Sequence, residues 1–157
     1  MRFLEHRIPP PVIDAACAGL MWWLARALPA FELWPRGVWP FGLGAALGLA
    51  LLGGAISLAG IWEFRRARTT INPRAPMRAR ALVTTGVYRF TRNPMYLGML
   101  LVLLGWAVYL GNAATLLGPL LSVLLLGQLQ IKPEERILRE RFAQDYPRYA
   151  ARVRRWL

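Results

Sequence analysis

From Val38 to Trp62 the chain carries no charged side chain. A helix needs about 20 predominantly apolar residues to cross a bilayer, and this run exceeds that length. Three further apolar blocks repeat the pattern, at about 11–31, 95–110 and 113–130. Charge collects between the blocks. Of the 157 residues, 56% are hydrophobic and 18% charged, which is less charge than a soluble domain of this size carries. The expectation is a single all-α integral membrane domain over 1–157, with four transmembrane helices.

The blocks differ in character. The first holds Asp14 near its start and Arg26 near its end, behind a stiff Pro9-Pro10-Pro11 lead-in. A signal peptide is the competing reading. The preceding tail carries acid as well as base, and no small-residue cleavage site closes the block, so a retained span is expected. Asp14 has three readings: an interfacial carboxylate, a partner for an arginine, or a polar substrate contact. The second block is rich in small residues. Gly44 and Gly48 form a GxxxG spacing, which Ala46, Ala50 and Gly54 extend, and small residues let helices approach closely in lipid. "GLGAALG" also imitates a dinucleotide-binding loop, but no strand precedes it and no amphipathic helix follows. Gly111-Asn112 between the last two blocks is a turn signal that predicts a tight helical hairpin. Gly118-Pro119 predicts either a kink or a packing notch in the fourth helix.

The net charge of +12 admits a nucleic-acid reading. The basic residues flank apolar spans, however, where topology and anionic headgroups favour them. Anionic lipid is therefore the expected partner, and nucleic acid is not. Glu63 to Asn93 carries eight arginines and one acid, and Lys132 to Leu157 carries eight basic residues and four acids. The loop between the first two spans has only Arg26, Arg36 and Glu32. With an even number of spans the two basic faces coincide, which places both termini and the central loop in the cytoplasm. Cys17 is the only cysteine and His6 the only histidine. Neither a disulfide framework nor a histidine-based metal site or triad is expected, and no metal is assigned.

Two polar segments therefore meet at one membrane surface. "TTINPRAPMRARALVTTGVYRFTRNPMYLG" is too apolar and aromatic for a disordered linker, and reads as an ordered interfacial loop. Asn93-Pro94 predicts an N-cap followed by a first-position proline. Arg92 and Tyr96 suit headgroup level, and the helix start offers free N–H groups to an anion. "KPEERILRERFAQDYPRYAARVRRWL" predicts an amphipathic surface helix from about Pro133, with Leu138, Phe142 and Tyr146 in a stripe widened by Ile137. Glu134 and Glu135 in its first turn either complement the helix dipole or bind a cation or ribose hydroxyls.

These residues resemble a known family. "LVTTGVYRFTRNPMYLG" is similar to the cofactor motif of the isoprenylcysteine carboxyl methyltransferases and their phospholipid methyltransferase relatives. "TTINPRAP" resembles the lead-in of bacterial members, and "EERILRERFAQDYPRYAARVRRW" resembles the family's Glu-Glu, Phe-Gly, Tyr, Tyr pattern. The resemblance covers about Thr69 to Trp156. Asn93 stands where many members have histidine, and Ala143 where glycine is usual.

The resemblance implies an S-adenosylmethionine-dependent enzyme of the bacterial inner membrane, with S-adenosylhomocysteine as product. By carry-over, Tyr88, Arg92, Asn93, Pro94, Tyr96 and Gly98 line one side of the cofactor, and Glu134, Glu135 and Tyr146 the other. Arg92 and Glu135 are the candidate catalytic residues. Arg92, or Arg89, would orient a carboxylate bidentately; Glu135 or Glu134 would bind ribose or the α-ammonium. An amine or thiol acceptor would need a base, and no histidine lies near. The acceptor is expected to be lipophilic and to enter from the bilayer, a carboxylate such as an isoprenylcysteine being one case and a phospholipid amine the alternative. An NADPH-dependent membrane reductase and a non-enzymatic membrane adaptor are the rival readings.

Overall fold

The computed structural model describes residues 7–34, 40–68 and 81–157. Every regular element among them is helical. Six α-helices follow in order: α1 (Pro10–Ala27), α2 (Pro40–Arg66), α3 (Pro94–Leu110), α4 (Leu117–Leu126), α5 (Lys132–Arg141) and α6 (Asp145–Arg152). Residues 69–80 of the expected interfacial loop, with the "TTINPRAP" lead-in, lie outside the described residues, and so does His6.

Two helical stretches are long and apolar enough to cross a membrane, Gly42–Arg66 and Ala113–Arg141. Pro94–Leu110 is apolar but shorter. Several large apolar side chains of the long helices face outward. Leu47, Leu51, Leu58 and Trp62 on α2 are exposed, as are Leu117, Leu120 and Leu124 on α4. Contiguous apolar surface of this kind belongs against lipid or another protein, not water.

Proline starts α1 and α3, where its missing N–H costs no intrahelical bond. Gly111 ends α3 in the left-handed conformation, φ 62°, and Asn112 builds the expected hairpin turn. Its Oδ1 accepts from the Ala114 N–H at 2.9 Å, and its Nδ2 donates to the Leu28 carbonyl at 2.8 Å. The turn is thereby tied to the end of α1. Pro119 lies in the first turn of α4 and has no helix to kink. Gly118 is the packing notch, because a Cβ there would collide with the Met21 side chain.

Two expectations are corrected. The fourth span and the tail helix are not separate, since a π turn at Gly127–Ile131 carries α4 directly into α5. The amphipathic helix breaks instead at Phe142, whose φ −120° and ψ 56° leave the helical region, and α6 turns back so that Tyr146 is buried. Asp14 is buried and accepts from the Ser122 hydroxyl at 2.6 Å. Its position is fixed by α1 packing on α4, where Ile13, Cys17, Met21 and Ala25 fall on one buried stripe.

The small-residue prediction holds for α2 but on a different face. A Cβ at Gly44, Gly48 or Gly54 would meet nothing. The close approach to α3 uses Gly53 and Gly60 instead. Gly53 and Gly98 each abut the other's carbonyl oxygen, and Gly98 also sits against the Ser57 hydroxyl. Further along, Gly105 of α3 lies against the Ala46 carbonyl. Small side chains bring the backbones together, and dispersion acts across the contact.

This contact predicts a contrast. Gly98→Ala should cost about 1–3 kcal/mol through overpacking against backbone that cannot yield. Gly44→Ala should change stability by no more than about 0.5 kcal/mol. Thermal unfolding of both variants in the same detergent is the check.

Candidate active site

The site lies at the end of the bundle where α3 begins and α5 leaves α4. Tyr88 is placed by a single helical turn, Gly86–Arg89, whose first residue has φ 56°. Gly86 is needed there, because any Cβ would strike the Glu63 side chain. Glu63 in turn accepts a 2.5 Å bond from the Thr85 hydroxyl, which ties the turn to the end of α2. The Tyr88 ring meets Phe64 edge-on at 5.4 Å, and its carbonyl accepts from the Tyr149 hydroxyl at 2.7 Å. Its own hydroxyl is buried without a partner among the described residues. Burial pushes this phenol well above the ordinary tyrosine range, with the neighbouring Tyr149 adding to the shift. It therefore stays protonated and available as a donor.

Asn93 occupies the N-cap position of α3, as expected, but its side chain does not cap the helix. Its Nδ2 donates to the Arg155 carbonyl at 2.9 Å. The Thr91 hydroxyl donates to the same carbonyl at 3.2 Å, and the Arg92 N–H to the Arg154 carbonyl at 3.0 Å. Residues 91–93 thus hold the C-terminal segment alongside the start of α3. The family position usually filled by histidine does a structural task here that any side-chain N–H donor of suitable reach could perform.

Glu135 is 5% exposed and forms the electrostatic centre. Arg155 grips it with both arms of the fork, Nε to Oε1 at 3.0 Å and a terminal nitrogen to Oε2 at 2.7 Å. Arg92 reaches Oε1 at 3.3 Å, and Arg139 stands 3.9 Å from Oε2. Arg92 also donates to the Tyr146 hydroxyl at 3.1 Å. Its Nε is buried and without a partner among the described residues. The bond to Glu135 raises the affinity of Arg155 for its proton still further. Glu134 differs from its neighbour. It accepts from the Tyr96 hydroxyl at 2.7 Å, and no cation among the described residues pairs with it.

These groups surround a cavity of about 350 Å³, within the range of small-molecule sites. Tyr88, Arg92, Asn93, Tyr96, Glu134, Glu135 and Tyr146 all line it. Two of the expected residues do not. Pro94 starts α3, and Gly98 faces α2 at the glycine contact already described. Tyr149 was not anticipated, although it also lines the cavity. Nor was Arg155, whose fork organises Glu135. Tyr149 lies one turn after Tyr146 and could have been found from that spacing once the break at Phe142 was known. Arg155 gave no signal, being one of eight basic residues in the tail. The walls become apolar away from the charged lip, with Ile61, Phe64, Met99, Ile131 and Leu138 among them.

The family described as phospholipid methyltransferase matches residues 41–145. The chain belongs to the phospholipid methyltransferase family. The match takes in α2, the Gly86–Asn93 segment, the α3–α4 hairpin and α5, and so contains most of the cavity. An uncharacterized protein from Haemophilus influenzae is 46% identical over 63 residues, which is 40% of this chain and all of that relative. No solved structure matches the chain. Family membership makes the chain a membrane methyltransferase in the coarse sense.

The geometry separates the two glutamates by role. Glu135→Gln would remove the negative charge at the centre of the arginine cluster. With three guanidinium groups gathered on it, the same change should cost about 2 kcal/mol of stability. That is below the ~3–5 kcal/mol of a fully buried pair, because Arg155 and Arg139 are partly solvated. Glu134→Gln should stay within about 0.5 kcal/mol of the parent. Denaturation of the two variants in one detergent checks the ordering.

Proposed function

We propose that the chain transfers a methyl group from S-adenosylmethionine to a lipophilic acceptor at the cytoplasmic surface of the bacterial inner membrane. The observation that carries this reading is the set of unsatisfied groups lining one cavity. Among the described residues the Arg92 Nε and the Tyr88 hydroxyl are buried without a hydrogen-bond partner, and Glu134, which accepts from Tyr96, has no counter-cation. Leaving buried polar groups unpaired costs about 1–3 kcal/mol each, so a ligand with complementary groups is the economical explanation. The methionyl end of S-adenosylmethionine offers a carboxylate for Arg92 and an ammonium for Glu134, and its ribose offers hydroxyls to either carboxylate or phenol. The residues present therefore fit the group.

When bound, the cofactor supplies an electrophilic methyl on a positively charged sulfur. The protein's contributions are alignment and exclusion of water. Arg92 and Glu134 would fix the donor at the polar lip. Tyr88 would donate to an acceptor atom, and the apolar walls would hold the lipophilic body of the acceptor. In this reading α1 and α3 cross the bilayer with the two longer stretches, giving four spans. Both termini and the loop before α3 then face the cytoplasm, where the basic surface meets anionic lipid.

Both kinds of acceptor can be served. A carboxylate needs only orientation. An amine must arrive unprotonated or lose its proton to water at the membrane surface, because Glu134 is engaged by the donor's ammonium. The family match keeps a phospholipid amine as the alternative acceptor beside an isoprenylcysteine-like carboxylate.

The test is transfer of radiolabelled methyl from S-adenosylmethionine by the purified chain in vesicles containing an aminophospholipid, with a prenylated cysteine supplied in a parallel reaction. Label should enter the organic phase, and Glu134→Gln should lower the rate at least tenfold. Mild alkali then reads the acceptor, since an ester releases its label and an N-methyl group keeps it. No incorporation with either acceptor, from protein shown to be folded, would favour the adaptor reading.

A further inference from the structure

The Arg155 fork decides how Glu135 is shared. Arg155 occupies both carboxylate oxygens, at 3.0 and 2.7 Å, while Arg92 reaches only Oε1, and at 3.3 Å. Arg92 is thus the weaker partner of Glu135, and its Nε is left without one among the described residues. Three guanidinium groups share one carboxylate, so the cluster carries excess positive charge beside the cavity. Arg155 is also fixed in place. Thr91 and Asn93 both donate to its carbonyl, and the Arg92 N–H donates to the carbonyl before it. The segment that bears Arg92 therefore positions the residue that competes with Arg92 for Glu135.

We infer that Arg155 is a positioning residue that occupies Glu135 and so keeps Arg92 available to the anionic end of the ligand. Without the fork, Glu135 would turn its full charge to Arg92. A closed Arg92–Glu135 pair would form, and the excess positive charge at the lip would fall. Lysine cannot replace this function fully, because an ammonium is a point charge and cannot bridge both oxygens in the same planar geometry. The inference rests on the proposed S-adenosylmethionine site and adds a residue to it.

Calorimetric titration of the full chain in detergent tests the idea with two ligands. S-adenosylhomocysteine carries the amino-acid carboxylate; 5′-methylthioadenosine has the same adenosine and thioether but lacks that end. Arg155→Ala should weaken S-adenosylhomocysteine at least tenfold and 5′-methylthioadenosine less than twofold. Arg155→Lys should lose about threefold for the first ligand and nothing for the second. Equal losses for both ligands would show a merely structural role and overturn the inference, as would unchanged affinities. Should Arg155→Ala fail to fold, the lysine variant decides by the same comparison. A wild-type chain that binds neither ligand would instead remove the cofactor site itself, and the inference with it.

Discussion

One carboxylate holds the polar end of this bundle together. Glu135 draws in Arg92 from the segment before α3, Arg139 from its own helix and Arg155 from the C-terminal segment. Arg92 is far from Glu135 in sequence and meets it because the α3–α4 hairpin returns α5 to the start of α3. Burying such a cluster without full pairing would be costly. Here the carboxylate is saturated, and the surplus lies with the cations. Among the described residues the surplus leaves the Arg92 Nε without a partner beside the cavity, and Glu134, one residue away, without a cation. Adjacent residues on one helix thus take opposite tasks, the first facing the ligand cavity with a phenol as its partner and the second locked among arginines.

The apolar part of the fold serves this arrangement. Gly53 and Gly98 bring α2 and α3 into backbone contact, and that contact sets where Phe64 at the end of α2 stands relative to Tyr88. Asn112 ties the opposite end of the hairpin to α1, and the α1 stripe closes the core against α4. The π turn lets α4 continue into α5 without a break. Such turns occur often at functional sites, and this one leads straight to the two glutamates.

Much of this was legible in the sequence. The uncharged run from Val38 to Trp62, the turn at Gly111-Asn112, the proline start of α3 and the cavity positions of Tyr88, Arg92, Tyr96 and Glu134 follow from pattern, turn chemistry and resemblance. What failed has a common cause. Sequence spacing identifies which residues are small, apolar or charged, but not which neighbour each will meet. Gly44 and Gly48 have ideal spacing and face outward, whereas the unremarked Gly53 makes the contact. Gly98 belongs to the motif and faces α2 rather than the cavity. Asn93 has the right identity for a cap, but its side chain is drawn to the Arg155 carbonyl, a tertiary partner that no local pattern reveals. The break at Phe142 was hidden because the apolar stripe runs on regularly through it.

In the proposed reading the cavity between the start of α3 and α5 holds S-adenosylmethionine. Calorimetry of the wild-type chain in mild detergent, titrated with S-adenosylhomocysteine and separately with NADPH, tests it most directly. The account predicts saturable one-to-one binding of S-adenosylhomocysteine and no binding of NADPH. Binding of NADPH alone would contradict it and point to a reductase. Binding of neither, in folded protein, would leave the cluster as an anchor for the helices and no more.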